Sequence, residues 1–131
     1  MAAFAEDPFP KGWSPNLDEV TARFRDELKN AHGQQEINHL SGRLAEVRDA
    51  QLALVYIQLW QKLSPKEQAS VKKEQAAWIK QRERSAKEAS LVDEGGSLAP
   101  YDYCEEYIKI TDLRIKEIQK RLKQRPNTPT Q

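Results

Sequence analysis

Ser64-Pro65-Lys66-Glu67 constrains the fold more than any other short stretch of the chain. A serine, then proline, then glutamate three residues after the serine marks a helix start. The serine caps otherwise unpaired N–H groups, and proline fits the first helical position. The glutamate reaches back to close a capping box. Helical patterning runs up to this signal, from about residue 35 to 63. The turn is therefore very short, and the two helices it joins are expected to pack antiparallel.

The rest of the chain extends that pattern. Leu17, Val20, Phe24 and Leu28 give one apolar face to a first helix. Asn16 is placed to cap it, Asp18 and Glu19 sit in its first turn, and it fades near Asn30-Ala31-His32-Gly33. The second helix carries Ile37, Leu40, Leu44 and Val47 on its inner stripe. Beyond Ala50 it is apolar nearly all round, through Leu52, Leu54, Val55, Tyr56, Ile57, Leu59, Trp60 and Leu63, as in a central helix or an interface. Gly42 lowers its helicity without breaking it. The third helix runs from Pro65 to about 91, with Val71, Gln75, Trp78, Ile79 and Arg82 facing inward. Gly95 and Gly96 then make a loop, and Ser97 is placed to cap a fourth helix over about 98–124, with Pro100 in its first turn. That helix has a coiled-coil-like seam of Tyr101, Cys104, Ile108, Thr111, Ile115, Ile118 and Leu122.

These elements predict an all-α fold: an antiparallel bundle of three long helices plus a shorter N-terminal helix. Five glycines and 31% charged residues in 131 suit helices and not a β-sandwich. The expected organisation is an extended arm over 1–16, a helical bundle domain over 17–124 and a disordered tail over 125–131. In the arm, Phe9 and Trp13 are candidates to pin it to the body. Ala3-Phe4-Ala5 has the small-x-small form of a secretory cleavage site.

Several function classes fall away. A net charge of +1 implies neither a nucleic-acid groove nor an anionic membrane surface as partner. The densest apolar run, Leu52–Trp60, is half the roughly 18 residues of a membrane span. His32 and His39 stand too far apart, with too few companions, for a zinc site. Cys104, the single cysteine, has no histidine near it in sequence to activate it. It reads as a buried small hydrophobe or as an intermolecular bridge. Asp93-Glu94 and Glu105-Glu106 read as solvated surface, and no phosphate-cradling glycine motif occurs. No catalytic residue, metal or cofactor is expected, so binding a protein partner is the leading class.

The stripe of Gln75, Trp78 and Arg82 shares one helix face. It suits a polar layer that fixes helix register. Trp78 buries area, Arg82 stacks on a ring or pairs with Asp49 or Asp112, and Gln75 bridges to a neighbouring helix. Exposed, the same side chains would instead serve a partner.

Four blocks together point to a family. Asp49, Leu52 and Tyr56 match a helix pattern in which Ala53 stands where asparagine is usual. Gln75, Trp78 and Arg82 match Q-x-x-W-x-x-x-R, and Gly95, Gly96 and Ser97 match a glycine-serine loop. Cys104, Thr111 and Arg114 match a cysteine helix. In this order and spacing, residues 49–122 resemble the N-terminal domain of the LprI family of lysozyme inhibitors, small exported bacterial helical domains. The family usually pairs the last-helix cysteine with one just after the Trp-Arg block. Ser85-Ala86 stand there instead, so the chain resembles a divergent member without that disulfide. The loss removes about 2–4 kcal/mol of stabilisation and frees the loop between the third and fourth helices.

The resemblance implies an exported, periplasmic or secreted, inhibitor that binds and blocks a lysozyme-like cell-wall hydrolase. The alternatives are a periplasmic immunity protein neutralising a specific secretion-system toxin, and a non-inhibitory helical adaptor. Two surfaces are candidates for the partner: the 93–103 loop, with Asp93, Glu94, Ser97, Tyr101 and Tyr103, and the apolar face at Tyr56 and Trp60, which would also suit a homodimer.

Overall fold

A computed structural model describes residues 9–13 and 16–125. Ala3-Phe4-Ala5 and the tail beyond Arg125 lie outside the described residues. Four helices follow in order: α1 (Asp18–Lys29), α2 (Gln34–Gln61), α3 (Pro65–Ser90) and α4 (Ala99–Gln124), with a 3-10 turn at Leu91–Asp93. The described residues contain no strand, and none of these helices is long and apolar enough to cross a membrane.

The boundaries have local causes. The Asn16 side chain accepts from the Asp18 N–H at 2.8 Å. Gly33, at φ 88°, turns the chain between α1 and α2 in a conformation that disfavours a side chain. The capping box at Ser64 forms in full: the Glu67 N–H donates to Ser64 Oγ at 3.2 Å, and the Ser64 N–H donates to Glu67 Oε1 at 3.0 Å. Ser97 does not cap α4. The helix starts at Ala99 without a side-chain cap, and the Ser97 carbonyl instead accepts from Asn38 Nδ2 at 2.9 Å.

Side-chain pairings set the directions. Asp49 meets Arg82 and the Trp60 carbonyl meets Gln68, so α2 and α3 run antiparallel. Arg48 meets Asp112 in α4, and the Leu44–Ile108 contact lies one turn earlier in both helices, so α2 and α4 run parallel. The close backbone approaches are α2 with α4, α3 with α4, and α1 with α2. Thus α4 is the shared middle helix, and α2 and α3 reach each other through side chains. The Phe9 ring meets Trp13 edge-on at 5.6 Å, but Trp13 remains 61% exposed and does not anchor the arm. Ile79 is also exposed at 44%, because it lies off the narrow stripe of Val71, Trp78 and Arg82 that faces the other helices.

The core divides in two. One cluster, toward the α2–α3 turn, holds Leu52, Val55, Leu59, Val71, Ile115 and Ile118, with Tyr56, Trp60, Leu63, Trp78 and Leu122 packed on it. The other, toward the α3–α4 connection, holds Leu44, Ala45 and Ile108, with Phe24, Leu28 and Tyr107. A polar waist lies between them, containing buried Arg48, Arg82 and Thr111.

Candidate functional site

The waist explains the Gln75-Trp78-Arg82 stripe. The Arg82 guanidinium lies between two rings, 4.6 Å from the Trp78 centroid and 3.9 Å from Tyr107. It donates to Asp49 at 2.7 Å and to Thr111 Oγ1 at 3.1 Å. Tyr103 stacks on the Tyr107 ring at 6.2 Å. Burial pushes the Tyr107 hydroxyl up to about 12, with Arg82 opposing and Asp49 reinforcing the shift. Arg114, also buried, donates from Nε to Gln75 at 2.9 Å and from Nη1 to Glu74 at 2.8 Å, with its guanidinium 5.7 Å from Trp78. The hydrogen bond from Arg121 foremost holds the Glu74 carboxyl below the usual range. On the opposite side Arg48 binds Asp112 at 2.6 Å and reaches Asp18 and Thr21 of α1. Arg82 and Arg48 find their partners within the fold, whereas Arg114 keeps one buried nitrogen, Nη2, without a hydrogen-bond partner. Arg82 takes Asp49 as its carboxylate; Asp112 is shared by Arg48 at 2.6 Å and Arg25 at 3.5 Å.

The α3–α4 connection is different. It is ordered by its own backbone: the Glu94 N–H donates to the Leu91 carbonyl and the Gly96 N–H to the Asp93 carbonyl at 2.8 Å. Gly95 sits at φ 79°, and a Cβ on Gly96 would meet the Asp93 carbonyl at 3.2 Å. With the Asn38 tether, these bonds set the shape of the loop. Held this way, it presents Leu91, Leu98 and Val92, the last 84% exposed. Ala89, Val92, Asp93, Asp102, Glu105, Glu106 and Lys109 line a recess of about 540 Å³ beside them. Asp102 Oδ2 is buried there with no hydrogen-bond donor. The neighbouring Asp93 carboxyl foremost holds the Asp102 carboxyl above its usual range.

The candidate loop residues divide accordingly. Asp93, Glu94 and Ser97 lie at this corner. Tyr101 is half-buried, and burial raises its hydroxyl pKa. Tyr103, Cys104 and Tyr107 line a separate shallow groove of about 420 Å³ opposite Ala45, Ala50 and Ala53 of α2. Cys104 is a free, half-buried thiol whose pKa is raised mainly by burial. Tyr56 and Trp60, 6.0 Å apart, pack on the core, and burial raises the Tyr56 pKa. Near the α2–α3 turn, a third recess of about 660 Å³ has charged walls already paired as Glu67–Arg125 and Glu74–Arg121. Among the described residues no group of histidine, cysteine and carboxylate side chains is arranged to hold a metal. Leu91 and Val92 precede the 93–103 loop that the sequence offers as a candidate surface, while Leu98 and Asp102 lie inside it. A Leu-Val pair directly before Asp-Glu-Gly-Gly was the available signal for the first two.

The model of the family described as lysozyme inhibitor LprI matches residues 25–118, from α1 to late in α4. No match is found among curated proteins or among solved structures.

Proposed function

The chain belongs to the LprI family of lysozyme inhibitors, and on that premise we propose that it binds and blocks a lysozyme-like cell-wall hydrolase outside the bacterial cytoplasm. The family match carries this reading. The bundle is braced by buried arginine layers at its waist, a preorganised scaffold that loses little freedom on association. The α3–α4 corner is its docking end, because Leu91, Val92 and Leu98 stand exposed there beside Asp93 and Glu94. The Tyr56-Trp60 face supports the helical core and plays no part in docking. The protein inhibits by occlusion, and its own residues perform no bond-breaking step. A cell-wall hydrolase acts outside the cytoplasm, so the chain is exported to the periplasm or beyond.

The test is a turbidity assay. Purified protein is added in increasing molar ratio to lysozyme acting on a cell-wall suspension. Clearing should slow and saturate near one inhibitor per enzyme. Unchanged clearing at large excess, across several lysozyme types, rejects the reading.

A further inference from the structure

The acidic recess at the α3–α4 corner has the makings of a socket. Its walls combine an exposed Val92 and the small Ala89 with four carboxylates, from Asp93, Asp102, Glu105 and Glu106, and one lysine, Lys109. The ten ion pairs among the described residues use arginine throughout, and none engages these four carboxylates. The other charged recess, near the α2–α3 turn, has its carboxylates matched by Arg121 and Arg125. The corner recess therefore carries negative charge that the fold leaves unmatched. Asp102 is partly exposed, but its Oδ2 atom is shielded and has no hydrogen-bond partner.

We propose that this recess receives a basic side chain, arginine or lysine, from a cationic surface of the hydrolase, while Leu91, Val92 and Leu98 pack on apolar surface around it. The proposal rests on the inhibitor function above and names the chemistry of its contact. Three observations converge on it. Three apolar side chains stand exposed within eight residues of one bend, whereas the others among the exposed large hydrophobics are scattered. The bend is held by backbone bonds and the Asn38 tether, so the surface is formed before the partner arrives. The carboxylates sit beside that apolar patch, where a cation is desolvated on entry and its attraction strengthened. A cation between Asp93 and Asp102 relieves the repulsion of two neighbouring carboxylates. The unmatched charge should also steer the encounter at low salt. A neutral or acidic partner gains nothing from this arrangement.

The probe is a basic c-type lysozyme, with affinity measured by calorimetry at about 50 and 300 mM salt, a range over which exposed charges become strongly screened. Val92→Ser and the pair Asp102→Asn/Glu106→Gln are each expected to weaken binding about tenfold or more, as for anchors at the centre of an interface. The carboxylate pair should also flatten the salt dependence. Glu117→Gln, an acidic change late in α4 at the α2–α3 end of the bundle, is the control and should bind as wild type. Urea midpoints confirm that each variant is folded. If wild type inhibits while both sets of variants bind with wild-type affinity and salt dependence, this socket is wrong and the inhibitor function stands. If wild type binds no lysozyme of basic or acidic type, the function itself fails and the socket with it. Equal affinity for an acidic muramidase overturns the charge argument. Self-association of the free protein that Val92→Ser abolishes would assign the patch to a second copy and overturn the proposal as well.

Discussion

Replacing Arg82 with alanine tests whether the waist holds the helices together. The side chain is 8% exposed, lies flat between Trp78 and Tyr107, and donates to Asp49 and Thr111. Truncation leaves a void between two rings, which costs about 2 kcal/mol on the scale of large-to-small core changes. Loss of the cation from both ring faces adds about 1 kcal/mol. The Asp49 side chain is 45% exposed and rehydrates once freed, so the broken pair adds only about 1 kcal/mol more. The expected loss is about 4 kcal/mol, about half of it packing. Methionine fills much of the same space and makes sulfur–ring contacts, so Arg82→Met should cost only about 1 kcal/mol. Urea unfolding followed by far-UV circular dichroism reads both. With a slope near 1.5 kcal/mol per molar, alanine should lower the midpoint by about 2.5 M and methionine by less than about 1 M. A loss under about 1 kcal/mol for alanine would refute a packed waist. Equal losses for alanine and methionine would refute the packing share of that loss.

Two further expectations follow from local geometry. Ser64→Ala removes the acceptor for the Glu67 N–H and should destabilise the protein by about 1 kcal/mol, with Ser64→Asp restoring most of it, read from urea midpoints. Asp102→Asn should act in a pH-dependent way. The folded-state pKa of Asp102 is raised by Asp93, so the stability it contributes is full below its ordinary value near 3.9 and is lost as pH rises through the raised value. The asparagine variant escapes that loss. It should melt above wild type at pH 7 and level with it near pH 3; a lower melting temperature at pH 7 would contradict the unfavourable carboxyl pair.

Local signals in the sequence were enough for the helices. Ser64, Pro65 and Glu67 specify a start through bonds within one turn, and the structure forms them as written. The pairing of Arg82 with Asp49 was legible because both fall in the matched family blocks on facing helices. Arg48 was not singled out, although it replaces an apolar residue in the stripe between Leu44 and Leu52, a position that signals a buried cation. Which of two candidate carboxylates each arginine takes depends on helix rotation, which periodicity alone does not fix. Ile79 was misplaced for the same reason: a few tens of degrees separate the inner and outer sides of α3. The corner recess depends on Gly95 reversing the chain so that Asp93 meets Asp102, a tertiary event with no period to read. Ser97 looked like a cap from residue type, but its carbonyl is held by Asn38 from a distant helix.

Hydrogen exchange of the protein, alone and saturated with a lysozyme it inhibits, tests the central claim most directly. Slowed exchange should concentrate in residues 89–106, while the α2–α3 turn around 61–67 exchanges as in the free protein. Protection at the turn with none at 89–106 would contradict docking through the α3–α4 corner.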